Sequence, residues 1–192
     1  MELMLVEHTD NARSDLSLRT LGGPEFTARA DQLIAIYIDA MGYPRGTGAG
    51  RRHLWLEHAK RPGFSCVAAF GSRGAPLGFA YGYTGQPGQW WHNEVRRGLP
   101  TAAADEWLTD YVELTELHVH PQAQGRQLGE RVLRQFLRQC PEQRVLLSTP
   151  EGENRAWRLY RRLGFGDVLR QHRFTGDPRL FGILGRTLPL PD

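Results

Sequence analysis

The stretch Leu114–Leu137, LTELHVHPQAQGRQLGERVLRQFL, constrains the fold of this chain more than any other, because its hydrophobic period changes part-way along. Leu114, Leu117 and Val119 stand among polar residues, and Pro121 cannot join a ladder, so the first part reads as a strand that stops. From Gln127 onward, Leu128, Val132, Leu133, Phe136 and Leu137 recur at helical spacing, with Arg131, Arg134 and Arg138 on the opposite side. A short turn holding Gly125 joins the two. In that order of elements the amides of the turn and of the first helical turn lack intrahelical partners and point along the positive end of the helix dipole. Such a cradle takes an anion, and a pyrophosphate fills it well.

The turn carries a more specific pattern. Gln124-Gly125-Arg126-Gln127-Leu128-Gly129, after a strand ending Val119-His120-Pro121, resembles the acetyl-CoA-binding signature Gln/Arg-x-x-Gly-x-Gly/Ala of the GCN5-related N-acetyltransferase (GNAT) superfamily. Gln127 departs from it, standing where the family has its first glycine. Main-chain amides hold the pyrophosphate, and Gln has one, so both an intact cradle and a re-angled one stay open. A second segment, Asn154 to Phe165, resembles the family's other signature, with Asn near a helix start, a Leu159-Tyr160 pair inside and Gly164-Phe165 at the end. Asn154 suits an N-cap and Gly164 a left-handed stop. The two signatures lie about 25 residues apart in the family's order; motif agreement runs over 113–165 and element order over 16–187.

The resemblance implies an α/β fold of the α+β kind: a mixed, mostly antiparallel sheet, splayed at its central strand, with helices on both faces. It implies acetyl-CoA as cofactor and an acetyl group moved to a primary amine by direct attack in a ternary complex. Carried over residue by residue, the cofactor contacts are Leu117, His118 and Val119 along the strand; Gln124, Gly125, Arg126, Gln127, Leu128 and Gly129 at the cradle; and Asn154, Trp157 and Tyr160 on the second helix. The Val119 N–H is expected to face the thioester oxygen. An alternative of another class is a non-catalytic acyl-CoA-binding sensor or regulatory module, which Gln127 keeps open.

Amide formation sets two demands. A lysine-like amine has a pKa near 10.4, so baring its lone pair at pH 7 costs about 4.6 kcal/mol, and a base must take its proton. Glu113 is ranked first, because the family's catalytic Glu or His often sits six residues before the strand's final Val, here Val119. Strand alternation puts Thr115 and Leu117 on the face of Glu113 and turns Glu116 to the other, so Glu116 ranks second. His118 and His120 stand as substitutes, with no partner at metal spacing. The leaving thiolate needs a proton, and Tyr160 matches the family's donor. No Gly-x-Ser-x-Gly elbow occurs, and direct attack needs no enzyme nucleophile.

The acceptor side is read from Tyr37, from Tyr43 in the Gly-rich 42–50 loop, and from the segment 86–110. Trp90, Trp91, Tyr111 and Glu113, with Asp105, Glu106 and Asp110 nearby, predict a small-molecule or peptide amine that is cationic and carries an apolar body. Packing of the tryptophans inside two short helices is the plainer alternative.

With 192 residues, of which 40% are hydrophobic, the chain has enough for a core, and we expect one domain over 1–192, with 1–15 a tail or edge strand and 86–110 an insertion. No apolar run of about 18 residues and no secretory signal pattern occur, which predicts a cytoplasmic protein without a membrane contact. Cys66 and Cys140 read as reduced thiols, and no metal is expected. The net charge of +3 comes with a single lysine, Lys60, and with arginines interspersed with acids, so nucleic acid is not expected as principal ligand. A monomer or homodimer is expected. The remaining pattern predicts strands over 16–21, 64–70, 77–84, 145–147, 168–174 and 181–187, and helices over 28–41 and 51–59.

Overall fold

The computed structural model describes residues 16–191. The tail or edge strand expected over 1–15 lies outside the described residues. Strand β1 (Ser17–Leu21) leads into helix α1 (Gly23–Met41), which starts before the expected Ala28 because Pro24 fixes the backbone of its first turn. Gly42, at φ 65°, ends α1 in the left-handed conformation, its N–H reaching the Ile38 carbonyl. The Gly-rich loop that follows is partly wound as one tight turn, Arg45–Thr47, and α2 (Gly48–His58) starts three residues before the expected Arg51.

Strands β2 (Ser65–Phe70) and β3 (Pro76–Thr84) form a hairpin, and the 86–110 segment holds the two short helices expected of it, α3 (Trp90–Gly98) and α4 (Thr101–Trp107). Then come β4 (Tyr111–Val119), α5 (Leu128–Leu137), β5 (Arg144–Pro150), α6 (Arg155–Arg162), β6 (Gly166–His172) and β7 (Phe181–Thr187). The seven strands form one sheet in the order β1-β2-β3-β4-β5-β7-β6, antiparallel at every contact except β4 with β5. Among the described residues, β1 is the edge strand on one side of the sheet.

Alternation along the strands decides what each face holds. In β2, Val67 and Ala69 join the cluster under α5 and α6, whereas Cys66, Ala68 and Phe70 join the cluster under α1 and α2. A third cluster, with Trp91, Val95, Tyr111, Leu146, Phe174 and Ile183, lies beneath α3 and α4. Burial of these clusters, at about 25 cal/mol per Å² of apolar surface, holds the helices on the sheet.

Candidate active site

The parallel contact of β4 with β5 spans only Tyr111↔Arg144, Val112↔Val145 and Glu113↔Leu146, although β4 continues to Val119 and β5 to Pro150. Beyond Glu113 the two strands part, and the outer half of β4 keeps an unpaired edge on that side. The His120 N–H donates to the Leu77 carbonyl of the hairpin. Successive strand amides point to opposite edges, so the Val119 N–H faces the open one.

A cleft of about 500 Å³ opens at the parting, between the end of β4, the N-terminus of α5 and one face of α6. Leu117, His118, Val119, Gln124, Gly125, Gln127, Leu128, Gly129 and Tyr160 all line it. The structure thus brings together most of the residues carried over as cofactor contacts. Arg126, Asn154 and Trp157 are not among the lining residues. Asn154 caps α6, its Oδ1 accepting from the amides of Ala156 at 3.0 Å and Trp157 at 3.1 Å. Trp157 is buried, donates from Nε1 to the Pro150 carbonyl at 2.8 Å and is flanked by the guanidiniums of Arg161 and Arg170.

The cradle itself is local chemistry. Gln127 is the N-cap of α5 at φ 56°, with no side-chain cap hydrogen bond, and Gly125 stands at φ 81°. A Cβ on Gly129 would meet only Val119 at 3.5 Å and Leu159 at 3.8 Å, so this glycine is not demanded by packing. Its bare backbone lies on the cleft wall. Gln124 ties the turn to the strand end by donating from Nε2 to the Val119 carbonyl at 3.0 Å, and accepts from Arg155 at 2.5 Å. Glu130, in the first turn of α5, is held by Arg162 and Arg134, whose hydrogen bonds lower its pKa.

Arg155, Arg158, Leu159 and Arg162, which are not among the cofactor contacts carried over, also line the cleft wall. Their spacing of three and four from one another marks one helical face, so the signal was present in the sequence.

The other face of β4 corrects the side to which Glu116 was expected to turn. Opposite Tyr81 and Gly82 of β3 stand Glu116 and Leu114, so Thr115 is an extra residue and the strand bulges there. The bulge puts Glu116 on the face of Glu113, since their partners Tyr81 and Tyr83 are two apart. Thr115 and Leu117 accordingly do not share that face with Glu113 in regular alternation. Leu114 and Leu117, three apart, both pack toward α5.

Glu113 is 4% exposed, and its Oε2 has no partner among the described residues. Burial pushes its pKa up to about 7, against the pull of the Tyr83 hydroxyl and the Arg61 guanidinium. Glu116 lies 2.6 Å from His118 Nε2 and 3.7 Å from Arg51 Nη1. Arg51 also sits over the Tyr37 ring, and Tyr37 meets Tyr43 edge-on at 5.5 Å. The Tyr43 hydroxyl accepts from Arg179 at 3.2 Å, which ties the α1–α2 loop to the loop before β7. Tyr160 is buried on the cleft wall, and burial raises its pKa, with the Glu116 charge adding to the effect.

The 86–110 segment contributes differently from expectation. Trp91 is 6% exposed, belongs to the core under α3 and donates from Nε1 to Ser148 Oγ at 3.2 Å. Tyr111 is fully buried, beside His92 Nδ1 at 3.1 Å. Only Trp90, at 54%, is exposed, lying against Phe174. Asp105 and Glu106 lie on α4 and Asp110 just before β4, whose start is about 20 Å of strand from Leu117, and none of the three lines this cleft.

A profile of the Acetyltransferase (GNAT) family matches residues 30–165. A GCN5-like protein acetyltransferase of Mycobacterium tuberculosis is 49% identical over an alignment of 191 positions, covering 84% of this chain and 93% of that protein. Among solved structures, the fold resembles an acetyltransferase of Salmonella typhimurium determined with its cofactor acetyl-CoA, at TM-score 0.60 and 17% identity over 92% of this chain and 95% of that one. It also resembles the ribosomal-protein-S18-alanine N-acetyltransferase of Escherichia coli, at TM-score 0.63 and 15% identity over 92% and 96%. No helix among the described residues is long and apolar enough to cross a membrane.

Proposed function

Because this chain belongs to the GNAT acetyltransferase family, we propose that it moves an acetyl group from acetyl-CoA to a primary amine by direct attack within a ternary complex. The observation that carries this reading is the parting of β4 from β5 beside the open amides of α5, with Tyr160 on the same cleft. The pyrophosphate fits the bare start of α5, and Arg155, Arg158 and Arg162 supply positive charge along the opposite wall. The pantetheine arm would run beside Leu117–Val119 as an added strand, its thioester oxygen taking the Val119 N–H. Tyr160, kept protonated by burial, is the donor to the leaving thiolate. The amine approaches from the opposite face of β4, where Glu113, Glu116 and His118 stand.

The acceptor is the amine of a protein or peptide. The relative from Mycobacterium tuberculosis bears the name of a protein acetyltransferase, and buried Trp91 and distant Asp105, Glu106 and Asp110 withdraw support from a pocket built for an aromatic small molecule.

Calorimetry with acetyl-CoA and CoA, followed by free-thiol release across lysine peptides, N-terminal peptides and small amines, tests this reading. Binding with thiol release on peptides supports it. Binding without release on any amine favours the sensor alternative, and no binding at high micromolar acetyl-CoA removes both.

A further inference from the structure

The proton of the attacking amine needs a recipient at the point where the two faces of β4 meet, and one residue borders both. Leu117 and Val119 pack toward α5, so the intervening His118 turns its ring to the acceptor face while its backbone edges the cofactor cleft. There the ring is walled by Tyr37 at 5.1 Å and Phe79 at 5.8 Å. The bulge at Thr115 brings Glu116 onto the same face, with Oε2 2.6 Å from His118 Nε2. The second oxygen of Glu116 is steadied by Arg51 at 3.7 Å.

A carboxylate accepting from Nε2–H fixes the ring's tautomer and leaves a lone pair on Nδ1, which has no hydrogen-bond partner among the described residues. Glu113, by contrast, lies roughly 15 Å of strand away, where β4 is still paired to β5, and it is enclosed.

We propose that His118 is the catalytic base of this enzyme and that Glu116 is its positioning residue, a pairing created by the β-bulge. The inference rests on the acetyl-transfer reading above. His118 Nδ1 takes one proton from the ammonium of the acceptor. The freed lone pair attacks the thioester carbon, the C–N bond forms, and the C–S bond breaks with its electrons on sulfur. Tyr160 gives its proton to that sulfur and is replenished by the second proton leaving the nitrogen. The products are the amide, CoA thiol and one proton, which His118 passes to solvent.

The experiment measures thiol release with the amine that the native protein uses fastest, together with acetyl-CoA affinity by calorimetry. His118→Gln, which keeps an N–H for Glu116 but has no basic nitrogen, is expected to lose 10²- to 10⁴-fold in kcat with acetyl-CoA Kd unchanged. His118→Ala is expected to regain turnover on adding imidazole, and that rescue is expected to vanish in the double variant with Glu116→Gln. A merely structural histidine would give no rescue. Native turnover that survives undiminished in His118→Gln, or that is lost in Glu113→Gln with His118→Gln unaffected, overturns the assignment while leaving acetyl transfer standing. No thiol release by the native protein on any amine overturns the acetyl-transfer reading itself, and the inference with it.

Discussion

Tyr160 sits on the helix face that closes the cleft, packed 5.4 Å from Phe165, and its phenol stays protonated because burial disfavours the anion. Tyr160→Phe keeps that packing and removes only the donor. It is therefore expected to lower kcat by about 10²- to 10⁴-fold while acetyl-CoA affinity stays the same, as thiol release and calorimetry would report. An unchanged rate would reduce Tyr160 to part of the wall. Gln127 offers a second residue-scale prediction. A non-glycine residue at φ 56° carries left-handed strain of about 1–2 kcal/mol, and Gln127→Gly relieves it at a smaller cost in unfolded-chain entropy. Urea unfolding should find that variant more stable by up to about 1 kcal/mol, with acetyl-CoA affinity retained, whereas a β-branched Gln127→Val should be less stable than native.

At the scale of elements, α3 is held to the sheet by its buried face rather than offered to a ligand. Trp91 lies in the core with Tyr111 and Phe181 and donates to Ser148. Trp91→Ala is expected to cost about 3–5 kcal/mol through the cavity it leaves, whereas Trp90→Ala, removing a ring that is 54% exposed, should cost about 1 kcal/mol or less. Denaturant midpoints of the two variants check this; equal and small losses would refute it. The bulge in β4 is the other element-scale feature with chemical consequences. Its partner Gly82 has no room for a side chain, since a Cβ there would lie 2.2 Å from the Glu113 carbonyl and 3.0 Å from Phe136. The close approach that seats the bulge therefore depends on glycine at that position.

For the molecule as a whole, Glu113 links stability to pH. Its pKa is about 7 in the fold against an ordinary 4.5, so between those values the folded chain binds more protons than the unfolded one. Stability then falls as pH rises through that window, with a slope of at most about 1.4 kcal/mol per pH unit, and levels off above it. Glu94, Glu130 and Glu151 act oppositely. Their hydrogen bonds, from Thr175, Arg162 and Arg170 respectively, lower their pKa values, and the stability they add is lost as the medium becomes acidic. Burial lowers the pKa of His58 to about 4, which adds stability as pH rises and opposes Glu113 in the total. The difference isolates Glu113: thermal unfolding between pH 5 and 8 should show the native protein losing stability relative to Glu113→Gln as pH rises. Parallel profiles would mean that Glu113 is ionised throughout.

What the sequence alone determined is whatever a contiguous stretch can specify. The change of period across Leu114–Leu137, the capping Asn154 and the stopping Gly42 act through bonds between near neighbours, so the elements, their order and the turn that opens α5 were all legible. Hints of the bulge were present too, in Leu114 and Leu117 three apart and in Gly82 inside a strand, but they specify it only once β3 and β4 are in register. Tertiary structure decided the rest. It put Glu116 beside His118 instead of behind it, enclosed Glu113 and buried Trp91. The physical reason is that the side a strand residue faces is set by pairing with a distant segment, and one extra residue in that pairing reverses every side chain beyond it.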